Sequence, residues 1–496
     1  MKNFQLKFIK NRSLVRWLQL LNEFEKNPSC TLGELAEVTS SSTRTLIADI
    51  ANIRNYFEGA LEIHSSKSGY FFEETHPDHY IKKKQELVRD EPIFMILESI
   101  FFNELQSILD WSILLNLSEQ SLLSYLKKIE VYLKPFDISI STNPVNFIGS
   151  ETDIRRFFCL FYYESDINVN TIFPSIEVQN AVMEITDFLQ VNSQRSSFSY
   201  FSYILYIALE RSKNGLSVNP PNKLKELVYR NCDFFDYNTI IKIVYKHFGI
   251  KLSENETIYL TICILCRRKI NDSANEEFCI RYNQWPEIKQ IAIDFYNGLN
   301  ESGMSFDEEQ DILWLESFFT VIKLKELLSD NMNVNLDDLN QFVQKKFNEE
   351  YKRNYNFLRK NKEIKKIYQL NHLEDICSSL TLHTETIKEE NWGINRNIAV
   401  IFEGNEYVCE YAESIIRKYL GVYHKIYYPD ANELSQEYLE EKGIDLLVTN
   451  YSEYITEFLL NVECILLKAI PDASDWNRLL NKINPRILRL VVLENI

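Results

Sequence analysis

Glycine is scarce in this chain, 12 of 496 residues, where an average protein has about 7%. Neither a G-x-G-x-x-G nor a complete G-x-x-x-x-G-K-[ST] motif occurs, so the dinucleotide cradle and the P-loop are both excluded. Histidine is scarce too: His64, His76, His79, His247, His372, His383 and His424 are scattered, with no triad and no metal-ligand spacing among them. No enzyme and no cofactor is expected. His76 and His79 precede Lys82, Lys83 and Lys84 and read as part of a solvated linker. Long apolar runs are missing, both the ~20 residues of a membrane span and the shorter core of a signal peptide, so the expected setting is the cytoplasm, with no membrane partner. The nine cysteines are an odd number without a framework of pairs. Cys263 and Cys266, the one close pair, sit inside an apolar run and read as core packing with no metal.

What is present is a Leu-, Ile-, Lys- and Glu-rich chain, 45% hydrophobic, with 54 basic against 71 acidic residues and a net charge of −17. Such a length predicts about three to five domains, mostly helical. The overall charge repels nucleic acid, so any nucleic-acid contact must be local. Residues 1–22 carry Lys2, Lys7, Lys10, Arg12 and Arg16 and no acid, whereas residues 396–496 hold ten bases and sixteen acids.

From Thr31 the sequence predicts a short helix with Leu32, Leu35, Ala36 and Val38 on one side, then a serine-rich turn. A second helix follows, its stripe Leu46, Ile50, Ile53 and Phe57 spaced by four, three and four. This is the helix-turn-helix pattern, whose second helix enters the major groove. Shifted by 76 residues, Ile108, Trp111 and Leu114 fall on Leu32, Leu35 and Val38, Ser118 falls on Ser42, and Leu122, Leu126, Ile129 and Leu133 fall on the second stripe. Each copy is followed by two short apolar runs about a polar turn, which read as wings. Residues off the stripes are the candidate DNA contacts: Ser42, Thr43, Arg44, Thr45, Ala48 and Asn52 with Lys67 on the first wing, then Gln120, Ser121, Ser124, Lys127 and Lys128. Arg44 has the fork geometry to grip guanine. Glu119 opposes phosphate contact in the second copy.

Residues 157–390 read as amphipathic helical runs, among them 198–211, 239–248, 256–268, 309–328 and 363–382, with breaks at Pro220-Pro221 and around Pro286. His372 and His383, eleven apart, fall about three helical turns along one face. After residue 396 short apolar runs alternate with helices, the pattern of a small parallel sheet. The fold class expected is mainly α and multidomain. Two winged helix-turn-helix domains (1–75 and 76–150) precede two all-helical modules (155–275 and 280–392) and a small doubly wound α/β domain (396–496).

The order of these modules carries a family resemblance. It is joined by Leu35-Ala36 with Ser42-x-Arg44-Thr45-Leu46-x-x-Asp49-Ile50 in the first unit, and Phe248-Gly-Ile-x-Leu-x-Glu-Asn-Glu256-x-x-Tyr259-Leu260 in the first middle module. The chain resembles the Mga/AtxA/RofA type of transcriptional virulence regulators of Gram-positive bacteria. That resemblance implies phosphotransferase-system regulation domains (PRDs) in the middle and a tail similar to the IIB component of sugar permeases (EIIB-like). It also implies double-stranded promoter DNA as partner, a homodimer or higher oligomer formed through the tail, and a phosphotransferase-system phosphocarrier acting on regulatory histidines. Similar modules carry Tyr-Leu-x-x-His where this chain has Tyr259-Leu260-Thr-Ile-Cys263, and Ile204 stands where a His-Leu acceptor would. Asn371-His372-Leu373 resembles the acceptor helix better, which makes His372, with His383 behind it, the implied regulatory phosphorylation site. The tail has Phe402 and Glu403 in place of a phosphocysteine, which implies a structural role. The alternatives are an RNA-binding antiterminator and a phosphotransferase-system component; the helix-turn-helix pattern argues against the first and the tail loop against the second.

Overall fold

The computed structural model describes residues 3–67, 69–164, 172–188, 195–231, 234–267, 270, 274–300, 308–391, 396–421, 424–456 and 462–483. It divides into two compact units, residues 1–383 and 384–496. Helices dominate, with three small sheets among the described residues.

The first helix pair is set by its caps. Thr31 caps the helix Leu32–Thr39 in a capping box with Glu34, and Ser42 caps the helix Thr43–Tyr56 by accepting from Thr45 N at 3.2 Å. Ser40 closes the first helix in the left-handed region, φ 49°. Strands β1 (Ser29–Cys30), β2 (Leu61–Ser66) and β3 (Gly69–Glu74) form an antiparallel sheet in the order β1-β3-β2. Leu46, Ile50, Ile53 and Phe57 are all buried against Leu20, Leu21, Phe24 and Phe72. The same elements recur 76 residues on. Ser107 forms a capping box with Asp110 at the start of Ile108–Leu114, Ser118 caps Glu119–Leu133, and β4 (Ser139–Thr142) pairs antiparallel with β5 (Val145–Ile148).

The buried stripe of each first helix departs from expectation. Val38 and Leu114 are 45% and 53% exposed. Thr39 is the residue buried instead, its hydroxyl donating to Leu35 O, because the stripe runs 32, 35, 39 rather than 32, 35, 38. The expected linker at His76–Lys84 is the helix Pro77–Val88, folded back so that Tyr80 Oη and Lys84 Nζ, four residues apart, both reach Glu25 Oε1.

The second helix pair shares one continuous core with the helices that follow, running from Phe4 to Leu336. Within it, Phe4, Phe8, Phe157 and Phe161 meet edge-on or tilted. The run expected at 363–382 is broken into Lys362–Ile367 and Leu373–Asn391 around Leu370, whose φ is 57°.

In the second unit β6 (Asn397–Ile401), β7 (Lys425–Tyr427), β8 (Leu446–Thr449) and β9 (Glu463–Leu466) form a parallel sheet ordered β7-β6-β8-β9. Alternate residues of β6 serve opposite faces. Ile398 and Val400 pack with Ile416 and Leu479, and Ala399 and Ile401 pack with Leu439 and Tyr454, so both faces are covered. Between β7 and β8 the helix Gln436–Glu441 is capped by Ser435.

Candidate nucleic-acid interface

Three of the basic residues near the N-terminus, Lys7, Lys10 and Arg16, are engaged within the fold. Asn11 caps the helix Arg12–Lys26, which places Arg16 and Trp17 beside the Thr43 helix. There Arg16 Nε and Nη2 donate to the two oxygens of Asp49 at 2.8 and 3.2 Å, and Trp17 Nε1 donates to Oδ1 at 3.0 Å. The Asp49 hydrogen bond raises the Arg16 pKa, against the smaller effect of partial burial. Lys7 pairs with Asp337, and the backbone N–H of Lys10 donates to Glu91 at 3.0 Å. The stretch without acids was legible, but these partners lie 33 to 330 residues away and were not.

What remains outward on the first pair is the predicted face. Ser42, Thr43, Arg44, Ala48 and Asn52 are exposed and Thr45 is half-buried. Ser42 is already committed, its hydroxyl 2.8 Å from that of Thr45 and accepting the capping N–H. Arg44 is on the first turn of the helix, beyond the cap, in the position from which recognition helices reach base edges. Lys67 is exposed at the tip between β2 and β3. Gly69 sets that tip: at φ +136° a Cβ there would lie 2.4 Å from Cys30 O. Arg54, outside the predicted set, is on the same helix with its guanidinium over the Tyr70 ring at 5.8 Å, which ties the helix to the wing.

On the second pair Gln120, Ser124, Lys127 and Lys128 are exposed, while Ser121 is half-buried with Lys10 Nζ 3.4 Å from its hydroxyl. Glu119 occupies the first turn, and Leu109, Ile113, Leu114 and Leu123 are exposed apolar neighbours. This face is less cationic and greasier than the first.

Behind the second pair, helix Glu151–Phe158 connects to the helices beyond it. Glu151 receives Arg155 Nε at 2.9 Å and Arg211 Nε and Nη2 at 2.9 and 2.8 Å. Arg155 continues to Glu256, and Arg211 Nη1 donates to Ile100 O at 2.6 Å, the carbonyl near the end of Pro92–Phe102.

His372 stands just before Leu373–Asn391, with Nε2 2.8 Å from Asn331 Oδ1 and Nδ1 3.5 Å from Asp375. His383 is deeper: Nε2 is 3.1 Å from Trp314 O, the ring lies against Phe318, and burial lowers its pKa to about 4. Cys263 is buried, which raises its thiol pKa well above the usual range. The loop after β6 is closed onto β8 by paired hydrogen bonds between the Glu403 backbone and the Asn450 amide, both 2.8 Å. No group of metal-ligating side chains occurs among the described residues, and no described helix is long and apolar enough to cross a membrane.

The fold and these caps define a helical, multidomain protein with two helix-turn-helix pairs. The Mga helix-turn-helix domain family matches residues 82–162, the second helix pair and the helix after it, and the PRD domain family matches residues 179–266. Capsule synthesis positive regulator AcpB of Bacillus anthracis is 22% identical over 276 residues, covering 54% of this chain and 57% of its own. AcpA of the same organism, also a capsule synthesis positive regulator, is 20% identical over 313 residues, 60% and 63% of the two chains. A putative trans-acting regulator of Streptococcus pneumoniae serotype 4 is 29% identical over 158 residues, 31% of each. The matches thus cover less than two thirds of each relative's length. They bear out the resemblance to the Mga/AtxA family of transcriptional regulators.

Proposed function

We propose that this protein is a DNA-binding transcriptional regulator that contacts duplex promoter DNA through two helix-turn-helix units. The observation that carries this reading is the doubled helix pair, capped by hydroxyls at equivalent positions 76 residues apart, the first copy presenting Arg44, Asn52 and Lys67 to solvent. The matched helix-turn-helix and PRD families and the regulator relatives support it. In this reading Thr43, Arg44, Ala48 and Asn52 face base edges, and Lys67 and Lys127 face phosphates. Ser42 and Ser118 position their helices, and Ser121, held near Lys10, contributes little. The second unit, with Glu119 and its exposed leucines, orients the protein more than it reads sequence.

Residues 280–392 serve, in this proposal, as a second PRD, and the parallel-sheet unit as an EIIB-like dimerisation domain without phosphoryl transfer. Control by a phosphotransferase-system phosphocarrier would fall on His372, whose ring is half-buried at a helix start, rather than on His383, whose Nε2 is bonded to a backbone carbonyl. The cytoplasm is the matching compartment.

The test is a salt titration of full-length protein on duplex DNA, with single-stranded RNA of equal length as the control. Duplex affinity should fall log-linearly with salt, and Arg44→Ala with Lys67→Ala should flatten the slope. Preference for RNA, or a duplex affinity indifferent to these variants, would point to the antiterminator reading instead.

A further inference from the structure

Behind the DNA-facing units lies a cavity of about 820 Å³, in the range that holds small organic ligands. Its walls come from segments far apart in sequence: Arg156, Glu164, Tyr200, Arg267, Lys325 and Asp338. A smaller chamber of about 290 Å³ shares Arg156, Arg267 and Lys325 and adds Asn333 and His383, with no carboxylate among its described lining residues. Three cations about one void are unexpected in a chain with a net charge of −17.

The cations are incompletely satisfied. Arg156, 9% exposed, spends Nη1 on Glu164 at 3.1 Å and Nη2 on Val334 O at 2.6 Å, but its buried Nε has no hydrogen-bond partner. Asn333 Oδ1 is likewise buried without a partner. Lys325 Nζ makes no hydrogen bond or ion pair with any described residue. Burial lowers the Lys325 pKa, and Arg156 and Arg267 push it further down, a penalty that an anion would remove. Arg267 is exposed, its guanidinium 4.5 Å above the Tyr200 ring, and so stands where solvent enters.

We propose that this cavity binds a small phosphorylated organic molecule, its phosphate on Arg156, Lys325 and Arg267 and its hydroxyl-bearing body toward Glu164 and Asp338. A phosphate supplies the charge and the several acceptors that guanidinium and ammonium groups require. The carboxylates at the other end repel a second anionic group and accept from hydroxyls. Arg156 belongs to the helix that follows the second helix pair, Arg267 follows the PRD match, and Lys325 belongs to the next helical module. A ligand there clamps three regions together, which is the position of an effector. The assignment stands apart from the DNA-binding reading, since binding is measured without DNA.

The experiment is calorimetric titration of the full-length protein with a hexose phosphate, a triose phosphate, a nucleoside monophosphate, inorganic phosphate and the free hexose, with thermal unfolding in parallel. At least one phosphorylated organic probe should bind more tightly than inorganic phosphate and raise the Tm, and the free hexose should not bind. Lys325→Met and Arg267→Ala should each weaken that probe at least tenfold. Because Arg267 is exposed and Lys325 Nζ makes no hydrogen bond or ion pair to described residues, the unliganded Tm should stay within a few degrees of the parent. No binding by any phosphorylated probe overturns the proposal, as does binding unaffected by both substitutions. Inorganic phosphate binding as tightly as every ester overturns the organic body of the ligand.

Discussion

The guanidinium of Arg155 lies bidentate on the carboxylate of Glu256, at 2.6 and 3.0 Å, with both side chains almost wholly buried. Burial alone lowers the Arg155 pKa, but the hydrogen bond and charge of Glu256 outweigh it and leave Arg155 raised. Both groups are further satisfied, Arg155 by Leu216 O and Glu256 by Val218 N, so the pair is part of a network rather than an isolated contact. One partner lies in the Mga match and the other in the PRD match. The pair therefore locks the helix behind the second helix pair to the PRD-matched module.

Breaking one side of this pair leaves an uncompensated buried charge. Arg155→Ala or Glu256→Ala should each cost about 3–5 kcal/mol, read from chemical denaturation. The double substitution Arg155→Met with Glu256→Leu should recover much of that loss, because no charge is stranded. A loss under 1 kcal/mol in both single variants would show that the network is not what holds the two regions together.

Arg44→Ala should weaken duplex binding by about 1–3 kcal/mol and relax preference at one base position, with no change in Tm, because the side chain is exposed. Lys67→Ala should weaken all duplexes alike and lower the salt slope by about one. Mobility shifts on a randomised duplex pool at two salt concentrations separate the two effects. Equal, sequence-independent losses would remove Arg44 from base readout.

The helix pairs were legible because hydroxyl caps and apolar periodicity are local: Ser42 and Ser118 cap where the pattern placed them, and Leu46 and Leu122 are buried. The error at Val38 and Leu114 came from extending a stripe by three where the helix took four. Strands β6 to β9 were visible as short apolar runs. The fate of Arg16 was not visible, because only the fold brings Asp49 to it, 33 residues on. The cavity cations were hidden for the same reason: Arg156, Arg267 and Lys325 have nothing in common until three helical segments meet. Lys84 looked like a solvated charge because nothing local marks Glu25, 59 residues earlier, as its partner.

His383 gives a pH test. Its folded pKa is about 4 and an unperturbed histidine titrates near 6.5, so the unfolded chain takes up the proton first. Its contribution is fully present above about pH 6.5 and is lost as pH falls toward 4. His383→Asn should flatten the decline of Tm in that window relative to the parent. An unchanged decline in the His383 variant would place its titration elsewhere.

Gly69 tests whether the wing matters to the first unit. Its φ of +136° disfavours any side chain, and the Cβ of alanine would meet the Cys30 carbonyl at 2.4 Å, where β1 pairs with β3 through Cys30 and Tyr70. The clash is with backbone, so relief requires β3 to move away from β1, carrying the turn that bears Lys67 with it. Gly69→Ala should therefore destabilise the protein by about 1–3 kcal/mol, the range for a residue forced into a poorly populated conformation. It should also weaken duplex binding at least as much as Lys67→Ala, since the lysine is misplaced rather than removed. Gly59 is the control: its φ is +76° and no atom lies within 4 Å of an added Cβ, so alanine there strains the backbone without a clash. Loss of stability at both positions with loss of DNA affinity only at Gly69 identifies the wing as part of the interface. Affinity preserved in Gly69→Ala would confine DNA contact to the helix that begins at Thr43.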